Sequence, residues 1–458
     1  MDFYKLIENK KDELVKNLQG AIKIRSLYED DDSGYPYGKN VKDCLDYMLK
    51  LSESLGFNTY NMDNHLGWCE YGEGEEMVAV LGHLDVVPEG DGWSVPPYEG
   101  LVQDGRIYGR GTMDDKGPTM AALYGLLAIK ESKLPINKRI RLIFGCNEET
   151  GSLDMKYYAQ KGGELPVMGF TPDGEYPVIN GEKGLINEQY TLNYKSEGAL
   201  TIKEIKGGTA HNIVPGFAYA ELLCACEKCT EKILALKEEN ITVTKTADGV
   251  KVEATGISAH GGTPNEGLNA IGILVKFLNK LPFEGKVKDA IALLAEKIGT
   301  EYDGRSLGIY MEDEVSGYLT MNLGVLEGDS ETLSVKLNYR YPVTKNFDMC
   351  GPLVKKAFED AGFNLTVSAH KEKIYMEPES ELVKKLISVY TDYTGEKAVP
   401  KSIGGGTYAK MMKNVLAFGP IFPGDEVREH KPDEFMEISR LLDNAAIFAN
   451  AMYELAKD

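Results

Sequence analysis

The chain has 458 residues, of which 43% are hydrophobic and 27% charged, and its formal net charge is -20. That length exceeds one ordinary hydrophobic core, so two or three domains are expected. A strong negative field repels phosphate backbones, which argues against a nucleic-acid partner.

The N-terminus runs directly into Glu8-Asn9-Lys10-Lys11-Asp12-Glu13, with no apolar segment of a secretory signal. The longest apolar stretch, around Met120–Ile129, is too short to span a bilayer, so no membrane partner is expected. Seven thinly spread cysteines argue against a disulfide framework and for a reducing cytoplasm. Cys224, Cys226 and Cys229 cluster in a run that reads as helical and apolar. No fourth metal ligand is evident beside them, and they are read as buried structural thiols, with metal or redox chemistry as the alternative.

Helical periodicity marks Lys5–Leu18 and Val41–Leu55. Short continuous apolar runs follow at Met77–Leu81, Ile140–Phe144 and Val167–Phe170, with a helix at Pro118–Lys130 between the first two. Such runs predict a buried, mainly parallel sheet. From about Asn187 to Glu377 the pattern changes to strand pairs, such as Ile241–Thr246 with Val250–Thr255 around Asp248-Gly249. Helices are predicted among them at Ala225–Glu238, Leu268–Lys280 and Pro352–Ala361. The α/β pattern then returns: a helix Ser380–Tyr393, the glycine run Gly404–Gly406, a strand Val415–Phe418 and a terminal helix Phe435–Ala456. The predicted fold class is α/β: a catalytic domain with a mainly parallel central sheet, and an inserted α+β lid domain of two lobes. The predicted boundaries are residues 1–186 and 378–458 for the first domain and 187–377 for the insertion.

Each buried run ends in polar residues that folding does not require. Gly82-His83-Leu84-Asp85-Val86-Val87-Pro88 follows the first, Gly145-Cys146-Asn147-Glu148-Glu149-Thr150-Gly151 the second, and Thr171-Pro172-Asp173-Gly174-Glu175 the third. Glu429-His430-Lys431-Pro432 lies beyond the last strand, and Gly109–Pro118 carries Asp114-Asp115 ahead of a helix. Ligands of open α/β sheets bind at the carboxyl ends of strands, so these segments aim His, Asp and Glu at one crevice. A turn or helix cap would explain any one of them alone. Histidine with carboxylate suits zinc, manganese or cobalt. Three carboxylates and a bridging hydroxide balance two divalent cations, which can share one carboxylate and one water. Glu148 and Glu149 point in different directions, so one can bind metal while the other faces substrate. Asp85 could hydrogen-bond His83 and fix its orientation.

These motifs, with Ser258-Ala259-His260-Gly261-Gly262-Thr263-Pro264 and Gly267-Leu268-Asn269-Ala270, resemble those of a family of co-catalytic metallopeptidases. That family includes glutamate carboxypeptidases, aminoacylases and the deacylases of acetylornithine and succinyl-diaminopimelate. Within it the chain looks most similar to bacterial dipeptidases and the related Xaa-His, carnosinase-type dipeptidases. The resemblance spans nearly the whole chain and implies two divalent metal ions, zinc foremost, with manganese and cobalt as alternatives. It implies that His83, Asp114 and Asp173 hold one ion and that Asp114, Glu149 and His430 hold the other. Glu148 would be the general base and then acid, with Asp85 supporting His83. The Asp114-Asp115 peptide would be cis. The insertion would be a lid whose His260, Asn212 and Arg340 touch substrate, His260 at the oxyanion and Arg340 at the terminal carboxylate. The implied activity is hydrolysis of dipeptides with a free N-terminus by a cytoplasmic monomer, with a homodimer as the alternative. An N-acyl amino acid or N-acyl diamino acid deacylase is the second reading. A non-catalytic two-domain binding protein is the third. His211 gains no role, and His65 and His370 are read as structural.

Overall fold

In the computed structural model, residues 2–458 are described, and the chain divides into two compact units. The first comprises Met1–Asn180, Met376–Lys401 and Thr407–Asp458; the second comprises Gly181–Tyr375 and Ser402–Gly406.

The first unit is built on a sheet with the spatial order Asn58–Met62, Leu66–Tyr71, Arg139–Gly145, Met77–His83, Met168–Thr171 and Val415–Ala417. The last four strands are mutually parallel, and the first two join antiparallel. Met77–His83 is buried at every position. A strand covered on both faces has no use for alternating polar residues, which is why it reads as one apolar run. The helices Lys116–Ser132 and Ile438–Ala456 pack against each other and against this strand. Every residue from Lys116 to Ile129 is buried, so this helix is covered all round rather than amphipathic. Parallel strands end on the same side, and this brings the segments after His83, Gly145 and Thr171 together.

Three local expectations are revised. The predicted Lys5–Leu18 helix is two helices, Phe3–Glu8 and Lys11–Ile22, interrupted at Asn9-Lys10. The terminal helix begins at Ile438; Phe435–Glu437 ahead of it is a strand paired with Arg106–Tyr108. The cysteine cluster is not one helical run: Cys224 ends the strand Phe217–Cys224, and only Cys229 lies inside the helix Glu227–Leu234. Ladder pairing outweighed helical propensity in both latter places.

The second unit contains one antiparallel sheet of eight strands. Its order is Ile241–Lys245, Gly249–Thr255, Phe217–Cys224, Leu200–Gly207, Thr320–Gly328, Thr332–Tyr341, Gly184–Asn193 and Asn364–Lys371. Gly184–Asn193 alternates buried and half-buried residues, the period of a sheet with one covered face. The covering helices, chiefly Ala270–Leu278, Lys286–Leu293 and Gly351–Asp360, share one continuous core with that face.

Candidate metal centre

His83 is the last residue of its strand, and its side chain is wholly buried. Asp114 and Asp115 stand immediately before the helix Lys116–Ser132, joined by a cis peptide. Glu148 and Glu149 follow the strand Arg139–Gly145, and Asp173 lies two residues beyond Thr171. His430 comes from the loop after Pro420–Ile421. It adopts a left-handed backbone conformation, φ 59°, that costs a non-glycine residue energy and is common where a functional side chain must be aimed.

These side chains converge on Asp114. Its Oδ1 lies 2.9 Å from His83 Nε2, and its Oδ2 lies 2.9 Å from His430 Nε2. His430 Nε2 is also 3.1 Å from Glu149 Oε1, and His83 Nε2 is 3.9 Å from Asp173 Oδ2. Two overlapping sets of donor atoms result: His83, Asp114 and Glu149, and His83, Glu148 and Asp173, with the atoms of each set within 4.8 Å of one another. Glu148 therefore reaches into the same space as the expected ligands.

The donor set fits divalent cations. His83 Nε2 is buried, and its contact with Asp114 is not aligned as a hydrogen bond, so the nitrogen lacks a hydrogen-bond partner. Burial and the proximity of Asp114 push the carboxyl of Asp173 well above the usual range, and the same two causes raise that of Glu149. Burial also opposes ionisation of Asp114, but the imidazoles of His430 and His83, each 2.9 Å from one of its oxygens, outweigh it and hold that carboxyl well below the usual range. Hydrogen bonds to Asp114 and Glu149 drive the His430 imidazole up to about 11. Carboxylates crowded this closely require positive charge among them.

Beneath these residues lies a layer of buried acids. Asp115 accepts the main-chain N–H of His83 and the hydroxyl of Thr119, both at 3.0 Å. Glu434 Oε1 accepts from the main chain of Gly111, Met113 and Asp114 at 3.0, 2.8 and 3.3 Å. Asp85 sits differently from a simple support for His83. Its main-chain oxygen is 3.0 Å from His83 Nδ1, while its carboxylate is 3.5 Å away and accepts the N–H groups of Glu148 and Glu149, each at 3.1 Å. Sequence reasoning missed Glu434, Asp154 and Tyr408. The only available signals were the spacing of Glu434, four residues after His430, and the position of Tyr408 just beyond the glycine run.

Within the second unit, Arg340, His260 and Asn212 come together. A Cβ on Gly262 would lie 2.4 Å from Arg340 Nη1 and 2.9 Å from the His260 ring, so only glycine permits that approach. Arg340 is buried; its Nε donates to Asn338 Oδ1 at 3.2 Å and its Nη1 to the Gly404 carbonyl at 2.7 Å. Burial alone lowers its pKa, to about 10, and no carboxylate of the described residues pairs with it. Ile213 and His260 are opposite each other in a short antiparallel pair, and Asn212 accepts from Gly261 N–H at 2.7 Å. Desolvation and the nearby Arg340 lower the pKa values of both His260 and His211. His65 stacks on Tyr157, and His370 lies 2.9 Å from the Tyr341 hydroxyl.

Residues 79–454 match the model of peptidase family M20/M25/M40. A Bacillus subtilis (strain 168) chain provisionally named a dipeptidase is 37% identical, over 98% of each chain. The Beta-Ala-Xaa dipeptidase of Lactobacillus delbrueckii subsp. lactis is 33% identical, over 100% of this chain and 99% of that one. Among solved structures, aminoacylhistidine dipeptidase from Vibrio alginolyticus superposes with a TM-score of 0.59 at 14% identity, covering 97% of both chains, a likeness of fold.

Proposed function

The chain belongs to peptidase family M20/M25/M40, and from that premise we propose that it is a metal-dependent dipeptidase acting on dipeptides with a free N-terminus. The observation that carries this reading is the bridging position of Asp114, each of whose oxygens faces a different histidine. His83, Asp114 and Asp173 would hold one divalent ion, and Asp114, Glu149 and His430 the other, zinc foremost. When bound, the ions supply Lewis acidity and lower the pKa of a nearby water.

Glu148 takes a proton from the attacking water and passes it to the leaving nitrogen. One C–O bond forms, the amide C–N bond breaks, and the products are two amino acids. Asp85 holds the main chain of Glu148 and Glu149, so base and ligand keep one relative position. His260 donates to the carbonyl oxygen as charge gathers there. Arg340, buried and without a carboxylate partner among the described residues, binds the substrate's terminal carboxylate, with Asn212 beside it. The reading is also of a cytoplasmic monomer. Free thiols on all seven cysteines support the compartment, and the size of the second unit supports the monomer. No helix among the described residues is long and apolar enough to cross a membrane.

The test is a panel of free-amine dipeptides and N-acetyl amino acids, offered to chelator-stripped protein resupplied with zinc, manganese or cobalt. Dipeptide cleavage only in the resupplied samples, at two ions per chain, is the expected result. Preference for N-acetyl amino acids would make the protein a deacylase, and no hydrolysis with any ion would make it a binding protein.

A further inference from the structure

Four consecutive main-chain N–H groups, from Cys146 to Glu149, end on two buried carboxylates. Asp85 takes those of Glu148 and Glu149. Asp154 Oδ2 takes those of Cys146 at 2.6 Å and Asn147 at 3.1 Å. The same Asp154 oxygen accepts the hydroxyl of Tyr408. Asp154 and Tyr408 are both fully enclosed. A Cβ on Gly145 would lie 2.3 Å from the Tyr408 hydroxyl, so that glycine leaves the room in which the phenol reaches beneath the turn. The Tyr408 ring also meets the ring of His83 edge-on, with centroids 5.9 Å apart.

We propose that Asp154 and Tyr408 are positioning residues that fix the aim of the Glu148-Glu149 pair. The proposal rests on the reading of Glu148 as base and Glu149 as metal ligand. Asp154 lies in the first turn of the helix Leu153–Gln160, where an acid ordinarily serves its own helix. Only Oδ1 does so here, accepting from Met155 N–H at 2.7 Å. Oδ2 is given over to the turn upstream and to a tyrosine that is remote in sequence. A carboxylate that gathers three donors, two from the turn just upstream and one from a remote tyrosine, ties the end of the strand Arg139–Gly145 to the segment after the glycine run. Rotation of the 146–149 turn would swing base and ligand together, and a displacement of about 1 Å at reacting groups costs on the order of a hundredfold in rate. Asp85 alone grips only the second half of that turn.

Three variants test this: Tyr408→Phe, Asp154→Asn and the double variant, with kcat, KM and bound metal measured separately. Tyr408→Phe removes one hydroxyl from a fully enclosed site and should fold. Its kcat should fall roughly tenfold, the value of one hydrogen bond to a charged acceptor, with KM and the two-ion content unchanged. The double variant should be no slower than Asp154→Asn alone, because the two residues act as a unit. Full turnover in Tyr408→Phe, a loss accounted for entirely by missing metal, or losses that multiply in the double variant would each overturn the proposal. Amide hydrogen exchange reads the same clamp without substrate. Protection at Cys146 and Asn147 should drop about tenfold in Tyr408→Phe, and unchanged protection refutes the clamp even if the wild-type protein cuts no dipeptide. Absence of wild-type turnover, by contrast, counts only against the dipeptidase reading.

Discussion

The Arg110 guanidinium meets the Glu434 carboxylate at 2.5 Å in the interior, where neither side chain has appreciable exposure. The pair joins the loop that carries Asp114 to the segment that follows His430, so both sides of the expected metal bridge hang on one ion pair. The second Glu434 oxygen binds the main chain of Gly111, Met113 and Asp114, which fixes the aspartate's approach.

Removing one partner leaves a buried charge uncompensated. Glu434→Ala or Arg110→Ala should therefore destabilise the protein by about 3–5 kcal/mol. Replacing both with apolar residues of similar volume should cost much less, because no charge is then stranded. Denaturant unfolding at constant metal concentration measures both. A single substitution within 1 kcal/mol of wild type, by the same ~3–5 kcal/mol scale, would show that water reaches the site.

Glu148→Gln keeps the shape of the side chain and removes its proton acceptor. Turnover should fall by at least ~10²-fold while both ions stay bound. Elemental analysis of the same sample decides between two roles, because Glu148 also reaches the space shared by His83 and Asp173. Loss of one ion in this variant would make Glu148 a ligand rather than the base.

The sequence was most legible where chemistry and periodicity coincide. Met77–Leu81 reads as a buried strand because both its faces are covered, and the polar residues after it stand out against that run. The segments carrying His83, Glu148, Glu149 and Asp173 stand out as polar residues after buried runs, whereas the assignment of His83, Asp114, Glu149, Asp173 and His430 as ligands and Glu148 as base is what the resemblance to the metallopeptidases implies. Glu434, Asp154 and Tyr408 were not legible. Glu434 is joined to Gly111, and Asp154 to Tyr408, by hydrogen bonds between residues remote in sequence, and no local pattern announces such partners. The strand Phe435–Glu437 was hidden for the same reason: it exists only because Arg106–Tyr108 pairs with it.

Asn322 supplies a prediction for the second unit. Its buried side-chain amide donates to the carbonyls of His211 at 2.9 Å and Ile213 at 2.8 Å, one on each side of Asn212. Asn269 in turn donates to the Asn322 side chain at 3.2 Å and to the Leu323 carbonyl at 2.9 Å. Asn322→Ala should free the segment that carries Asn212 and strand two carbonyls, at a cost of about 1–3 kcal/mol. KM for dipeptides should rise several-fold, with a smaller change in kcat. An unchanged KM in a demonstrably destabilised variant would remove Asn212 from substrate binding.

The last prediction separates Arg340 from His260, neighbours across Gly262. If His260 donates to an oxygen that gains charge only during reaction, its loss should appear in kcat, by ~10²–10³-fold for one such donor. If Arg340 binds the substrate's terminal carboxylate, whose charge is the same before and during reaction, Arg340→Ala should raise KM more than it lowers kcat. The guanidinium's Nε and one Nη1 hydrogen are already committed to Asn338 and Gly404, which leaves Nη2 and the second Nη1 hydrogen to grip a carboxylate end-on. Replacing the substrate's terminal carboxylate with an amide should therefore reproduce the Arg340→Ala defect in wild-type protein and add almost nothing in the variant. If the amide substrate still loses its full binding energy in Arg340→Ala protein, another group holds the carboxylate, and the buried guanidinium serves only to join Asn338 to Gly404.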